Sequence, residues 1–188
     1  MGVFGQSLFA TPPRIGGVQL RAFSAFHALA LMELDSPYIC DGGEEPTEGD
    51  TATALLICSM TKADGLQGVW RRVSSLRSRL RWSLYWLTHD HAKAGNALAE
   101  HITASVRYPA MWHDANDGDG KSTGAPWPYY MVSVIAQNLH GIDYEALWDM
   151  PLTELNCHKA IITECNGDMQ IAENELKIME NRRLQRAS

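Results

Sequence analysis

The sequence predicts an all-α fold made of small multi-helix domains. Apolar residues recur at helical spacing through most of the chain. Proline, aspartate or glycine stands at the starts and ends of these periodic stretches, as helix boundaries require. The chain has 188 residues, of which 45% are hydrophobic and 20% charged, and this composition suits a globular protein that buries a core. The predicted architecture has a helical hairpin in the middle and a C-terminal helical module behind a flexible linker.

Composition and charge exclude several classes of function. The net charge is −6, which disfavours general affinity for nucleic acid. No apolar run approaches the ~18 residues of a membrane span, and the first residues have no basic segment ahead of an apolar core, so no signal peptide is expected. The four cysteines form no CxxC pair, which favours free thiols in a reducing compartment. We therefore expect a cytoplasmic protein.

Breaks in the periodic pattern divide the chain into four segments. Residues 1–17 contain repeated glycine and proline and predict an irregular arm. Residues 18–108 form an N-terminal helical region, and residues 109–125 form an acidic, glycine-rich flexible linker. Residues 126–188 form the C-terminal helical module.

Two helices at the start of the N-terminal region are expected to be buried. The first, over residues 18–33, is apolar around most of its circumference, which is typical of a core helix. His27 lies within it and is interpreted as a packed core histidine rather than a catalytic one. The second, over residues 52–60, is apolar and is expected to be capped by Asp50 or Thr51.

An arginine-rich stretch follows, with an apolar stripe at helical spacing that predicts one long helix; which of its apolar faces is exposed stays open. The stripe consists of Val69, Val73, Leu76, Leu80, Leu84 and Leu87. No acidic residue occurs between Gly65 and His89, and the interleaved residues are Trp70, Arg71, Arg72, Arg77, Arg79, Arg81, Trp82 and Trp86. Three interpretations stay open: a nucleic-acid face, which the acidic chain disfavours, an acidic protein partner, or an amphipathic helix whose arginines are solvated or pair with the acidic loops.

The next helix, over residues 92–106, is predicted to pair with the arginine-rich stretch as a hairpin. Thr88 or Asp90 is expected to cap it. His89 and His91 flank that cap, but residues two apart point to different faces of a helix. Helical zinc ligands usually lie three or four apart, so no metal site is predicted.

The linker resembles two ligand-binding motifs without completing either. The sequence GKS at residues 120–122 has Ala115 where a phosphate-binding loop needs glycine, and no strand precedes it. The aspartates of this segment lack the glycine and glutamate positions of a calcium loop; they are Asp114, Asp117 and Asp119. No cofactor is therefore predicted.

The C-terminal module is predicted to contain four helices, over residues 129–139, 144–148, 152–166 and 169–186. Cys157 and His158 are adjacent, so they point about 100° apart on a helix and do not form a nucleophile–base pair. Without a catalytic constellation, we do not predict an enzyme. Partner contact is expected at exposed apolar and basic side chains, which are Trp127, Tyr129, Tyr130, Trp148, Met150, Arg71, Arg72 and Arg79.

Two pieces of the chain together resemble tail assembly chaperones of tailed bacteriophages and prophages. The first is a helix followed by LDSPYI at residues 34–39, an acidic glycine-containing loop and DTATALLI at residues 50–57. The second is PWP at residues 126–128, then LWDMPL at residues 147–152 and a helix that ends near Gly167. The arginine-rich stretch and the linker have no counterpart in this resemblance.

The resemblance implies a mostly helical cytoplasmic protein of the bacterial host cell. Such a protein binds the tape-measure protein and keeps its apolar helices soluble until tail-tube subunits assemble around it. The resemblance implies no catalytic residues. Two alternatives stay open: a structural virion protein, such as a connector or tail-completion protein, and a nucleic-acid-binding module that uses the arginines of residues 71–81.

Overall fold

The computed structural model describes residues 11–40, 45–107, 111–113, 124–139, 141–166 and 169–171. These residues fold mostly into α-helices, which confirms the predicted all-α class. The helices are α1 (Ala25–Met32), α2 (Glu48–Cys58), α3 (Leu66–Ser74), α4 (Leu76–Trp86), α5 (His91–Val106), α6 (Trp127–Asn138), α7 (Tyr144–Asp149) and α8 (Leu152–Cys165), with a 3₁₀ turn at Lys62–Asp64. Two antiparallel pairs of short strands accompany them: β1 (Arg14–Ile15) with β2 (Val18–Gln19), and β3 (Met111–His113) with β4 (Met169–Ile171).

Helix α1 lies at the centre of the molecule and packs against α2, α6 and α7. Every residue from position 25 to position 31 is buried, which confirms the prediction of a core helix. Its predicted start at residue 18 is wrong, because residues 14–19 form a β-hairpin. Gly16 and Gly17 have positive φ angles of 53° and 82°, as the tightest hairpin turns require at both central positions.

Helix α2 is buried as predicted, but its cap is Thr47 rather than Asp50 or Thr51. The Thr47 hydroxyl accepts a hydrogen bond from the Asp50 backbone N–H at 3.2 Å. The Asp50 carboxylate accepts one from the Thr47 backbone N–H at 2.9 Å. This reciprocal capping box satisfies two backbone donors at the helix start, so the helix begins earlier in the chain than predicted.

The arginine-rich stretch forms two helices instead of one, because Ser75 has an extended backbone with ψ of 135°. Helix α5 begins after Asp90, whose carboxylate accepts a hydrogen bond from the Lys93 backbone N–H at 3.1 Å. Helical spacing predicts an inward face of Ala94, Leu98, Ile102 and Val106. The first three are buried, whereas Val106 at the end of the helix is 41% exposed. However, α5 packs mainly against α2 and α8, so the predicted hairpin with the arginine-rich stretch does not describe its packing.

The C-terminal region contains three of the predicted helices. Pro128 occupies the first turn of α6, Asp143 caps α7 by accepting from the Glu145 backbone N–H at 3.0 Å, and Pro151 precedes α8. The prediction of a helix from residue 169 is wrong at its start, since Met169–Ile171 pairs as a strand with Met111–His113. The rest of that predicted helix lies outside the described residues.

One hydrophobic core joins the N-terminal and C-terminal regions. The Leu152 backbone N–H donates to the Phe23 carbonyl at 2.7 Å, and Ser24 forms a β-bridge with Pro151. The buried Asn156 amide on α8 donates to the carbonyls of Val106 and Arg107 at 3.3 and 3.1 Å, at the end of α5. Among the described residues, none of the helices combines the length and apolar character of a membrane span.

Candidate functional site

The apolar residues predicted to contact a partner lie on and around α6 and α7, with unequal exposure. Tyr129 and Tyr130 are exposed, whereas Trp127 and Met150 are half-buried. Trp148 is only 3% exposed, so its predicted surface position is wrong. Its ring lies edge-on against Tyr129 with centroids 4.7 Å apart, on the face of α7 that packs into the core.

Trp148 forms one wall of an aromatic cleft with a volume of about 450 Å³. The residues lining the aromatic cleft are Phe26, Leu29, Lys62, Gly65, Tyr129, Tyr144, Glu145 and Trp148. The Lys62 ammonium lies 5.2 Å from the Trp148 ring centroid and 5.8 Å from that of Tyr144, and it forms a salt bridge with Glu145. The cleft therefore already holds a cation from its own chain through cation–π attraction.

Lys62 also anchors the backbone at the aromatic cleft. Its backbone N–H donates to the Asp149 carboxylate at 2.7 Å, so two separate contacts join the 3₁₀ turn to α7. These contacts give Lys62, Glu145 and Asp149 a structural role. The arrangement contains no nucleophile positioned beside a base.

The three arginines predicted to contact a partner lie in different settings. Arg71 is exposed on α3. Arg72 forms a salt bridge with Asp64 at 3.1 Å, and such surface pairs contribute about 0–1 kcal/mol. The side chain of Arg79 lies outside the described part of the structure.

The most exposed apolar surface in the described residues is on α4 and the turn that follows it. It consists of four leucines, which we call the leucine stripe: Leu76, Leu80, Leu84 and Leu87, exposed by 79%, 63%, 65% and 79%. Their spacing of four, four and three residues aligns them along one side of a helix. On α3, Val69 is buried and Val73 half-buried, so the stripe predicted over residues 69–87 is covered on α3 and exposed on α4.

Aromatic residues on the other side of α4 attach the helix to the molecule. Trp82 and Trp86 are partly buried against the core, with ring centroids 6.1 Å apart. They line a groove of about 450 Å³ together with α2 residues such as Ala52 and Leu56. Tyr85 stacks on His89 at 4.1 Å. Since the aromatic face contacts the protein, the leucine stripe points away from it.

The sequence contained a signal for this surface that the prediction missed. Helix α4 is apolar on two opposite sides, with leucines on one and aromatics on the other. A surface helix normally has a single apolar stripe, so one of the two sides had to remain uncovered. Trp and Tyr side chains bury more area than leucine, which explains why the aromatic side packs inward.

Three histidines have structural roles in the described residues. His27 is buried and accepts a hydrogen bond from the Ser24 backbone N–H at 3.0 Å through Nδ1. His91 bonds the Thr51 hydroxyl at 2.9 Å, while His89 bonds the Tyr85 carbonyl at 3.1 Å. No disulfide joins the cysteines of the described residues. No group of three or more candidate metal ligands comes together in the described residues. The linker's GKS motif and aspartates lie outside them.

Comparison with known proteins gives no relative for this chain: no family model matches it, and neither the curated proteins nor the solved structures contain a significant match.

Proposed function

We propose that this protein acts by binding another protein through the leucine stripe, as a tail assembly chaperone of a tailed phage or prophage. Its partner would be the tape-measure protein, held in the host cytoplasm before tail-tube subunits assemble around it. The sequence resemblance supports the choice of family. The exposure of the leucine stripe is the single observation that carries the proposed mode of action.

The energetics of the leucine stripe favour protein binding. Burying a leucine side chain fully contributes about 1.5–3 kcal/mol, and four aligned leucines supply enough apolar surface for the centre of a helix–helix contact. Single exposed leucines are common on proteins, whereas a contiguous exposed row marks an interaction site. A helix packed along the stripe would cover all four residues together.

Co-expression with the tape-measure protein tests this proposal. We expect the two proteins to co-purify, and we expect the double variant Leu80→Gln/Leu84→Gln to abolish the complex while it remains folded. Ile161→Gln is the matched control, because Ile161 is an exposed apolar residue on α8, outside the stripe. The proposal fails if wild-type protein leaves the tape-measure protein insoluble, or if the double variant binds as well as the control.

Mass spectrometry of purified particles distinguishes a chaperone from a structural virion protein. A chaperone is released during assembly, so its peptides should be absent from mature tails. Stoichiometric recovery of this chain from the particles would favour the connector or tail-completion alternative instead.

A further inference from the structure

A row of arginines lies beside the leucine stripe. Arg77 and Arg81 each follow a stripe leucine by one position, so they lie about 100° around the helix from it and align with each other. Both side chains are exposed. Within the described residues, the salt bridges join Lys62 to Glu145 and Arg72 to Asp64, and neither involves this row.

The charge of this surface is opposite to that of the whole chain. Residues 65–89 contain no Asp or Glu, although the chain carries a net charge of −6. Salt screens the effect of charges that lie more than about 8–10 Å away. Acidic residues beyond that distance therefore leave the local positive potential of the arginines in place. A partner that covers the leucines therefore places its own border residues against arginine.

These features select one kind of occupant. A second copy of this chain would bring its own arginine row against this one, and like charges at an interface are unfavourable. Nucleic acid would pair with the arginines but leave the four leucines uncovered. An amphipathic helix with an apolar stripe and an acidic border satisfies both the leucines and the arginines.

We infer that the leucine stripe and the Arg77–Arg81 row receive one amphipathic helix of a partner protein, whose apolar stripe is bordered by Asp or Glu. The stripe runs over residues 76–87, about 16 Å or three turns at the α-helical rise, so one partner helix of ordinary length covers it. This inference rests on the proposed function for the site and adds the chemistry of the partner.

Designed peptides test the acidic border directly. Two helical peptides of about 21 residues carry the same row of leucines at helical spacing. The positions that flank this row are glutamate in one peptide and lysine in the other. Fluorescence anisotropy of labelled peptide against the full-length protein measures affinity. We expect the glutamate peptide to bind at least tenfold more tightly than the lysine peptide, with a preference that weakens as salt increases.

A charge-swapped pair provides the second arm. The variant Arg77→Glu/Arg81→Glu should weaken the glutamate peptide by about tenfold or more and should now prefer the lysine peptide. Circular dichroism checks that the variant is folded. Both substituted side chains are exposed, so the substitutions should leave the fold intact. Tight binding of the lysine peptide by the variant would show that the arginines act in binding, because a misfolded protein would bind neither peptide.

The outcomes separate this inference from the proposed function. Equal binding of both peptides overturns the acidic border, and binding of neither overturns docking of an amphipathic helix. Duplex DNA or a second copy of the chain that engages the stripe while the glutamate peptide does not also overturns it. If the protein co-purifies with the tape-measure protein through Leu80 and Leu84 but binds the glutamate and lysine peptides equally, the proposed function is supported and only the inference of an acidic border is wrong.

Discussion

His27 connects a single side chain to the pH dependence of the whole fold. Its Nδ1 accepts from the Ser24 backbone N–H, so the proton lies on Nε2, which donates to the Met60 carbonyl at 2.9 Å. Both ring nitrogens are therefore satisfied with the imidazole neutral. Burial lowers the pKa of His27 to about 4, because a buried site disfavours the charged form.

We expect the protein to lose stability as the pH falls from about 6.5 to about 4. The unfolded chain protonates His27 near its ordinary pKa, whereas the folded chain does not, so acid favours unfolding by up to about 3 kcal/mol over this range. Urea denaturation at a series of pH values measures the effect. His27→Gln should flatten the profile, whereas His89→Gln, at an exposed position, should retain it. An unchanged slope in the His27 variant would refute this origin.

Gly16 lies so close to the Tyr85 hydroxyl that a larger residue does not fit there without a shift. A Cβ atom at Gly16 would lie 1.4 Å from the Tyr85 hydroxyl oxygen, whereas one at Gly17 would meet nothing within 4 Å. Both glycines have positive φ, so alanine strains the backbone at each. The pair therefore separates backbone strain from steric contact.

Gly16→Ala should destabilise the protein by about 1–3 kcal/mol more than Gly17→Ala, because only the first forces the hairpin and Tyr85 apart. Chemical denaturation of the two variants gives the difference in the free energy of unfolding. Equal losses would show that the hairpin does not rest on Tyr85. Tyr85→Phe, which removes the hydroxyl, should reduce the difference between the two glycine variants.

Among the secondary-structure elements, α4 shows where sequence reasoning succeeded and where it failed. Helical spacing correctly predicted helical structure over most of residues 69–87, but it missed the break at Ser75 and left open which apolar face is exposed. Periodicity reports which residues share a face, but not which of two apolar faces meets the core. The larger area of the aromatic side chains favours burial of that side, but the groove that receives them is supplied by α2, which the period of this stretch does not reveal.

Substitutions on the two sides of α4 should therefore have very unequal effects on stability. Leu84→Gln should change the free energy of unfolding by no more than about 0.5 kcal/mol, as surface changes usually do. Trp86→Ala should cost about 2 kcal/mol or more, since it removes a packed aromatic ring. Denaturant titration compares them. A larger loss from Leu84→Gln than from Trp86→Ala would reverse the orientation described for this helix.

Across the whole molecule, most helices could be predicted from the sequence, but which elements pack against one another could not. Caps and breakers such as Asp90, Asp143 and Pro151 act on the nearest turn, so the sequence reveals them directly. The strand pair β3–β4 has three residues on each side, too few for a period to emerge, and its pairing joins distant parts of the chain. The exposure of the leucine stripe likewise depends on tertiary packing.

The shared core leads us to expect a single cooperative unfolding transition. Leu155 is fully buried on α8, and Leu155→Ala should cost about 2–5 kcal/mol. Hydrogen exchange should show equal loss of protection in α2 and α8, although Leu155 lies on only one of them. Loss confined to α8, with α2 unchanged, would indicate that the N-terminal region folds by itself.

The central position of α1 has a consequence for biosynthesis. This helix leaves the ribosome well before α6 and α7, which cover it and lie later in the chain. Until they emerge, the nascent polypeptide carries an apolar segment that lacks its permanent neighbours. The hydrogen bond from Leu152 to Phe23 forms only after that delay. The native packing of α1 therefore forms only after α6 and α7 have emerged, and chains released before that point retain an uncovered, aggregation-prone helix.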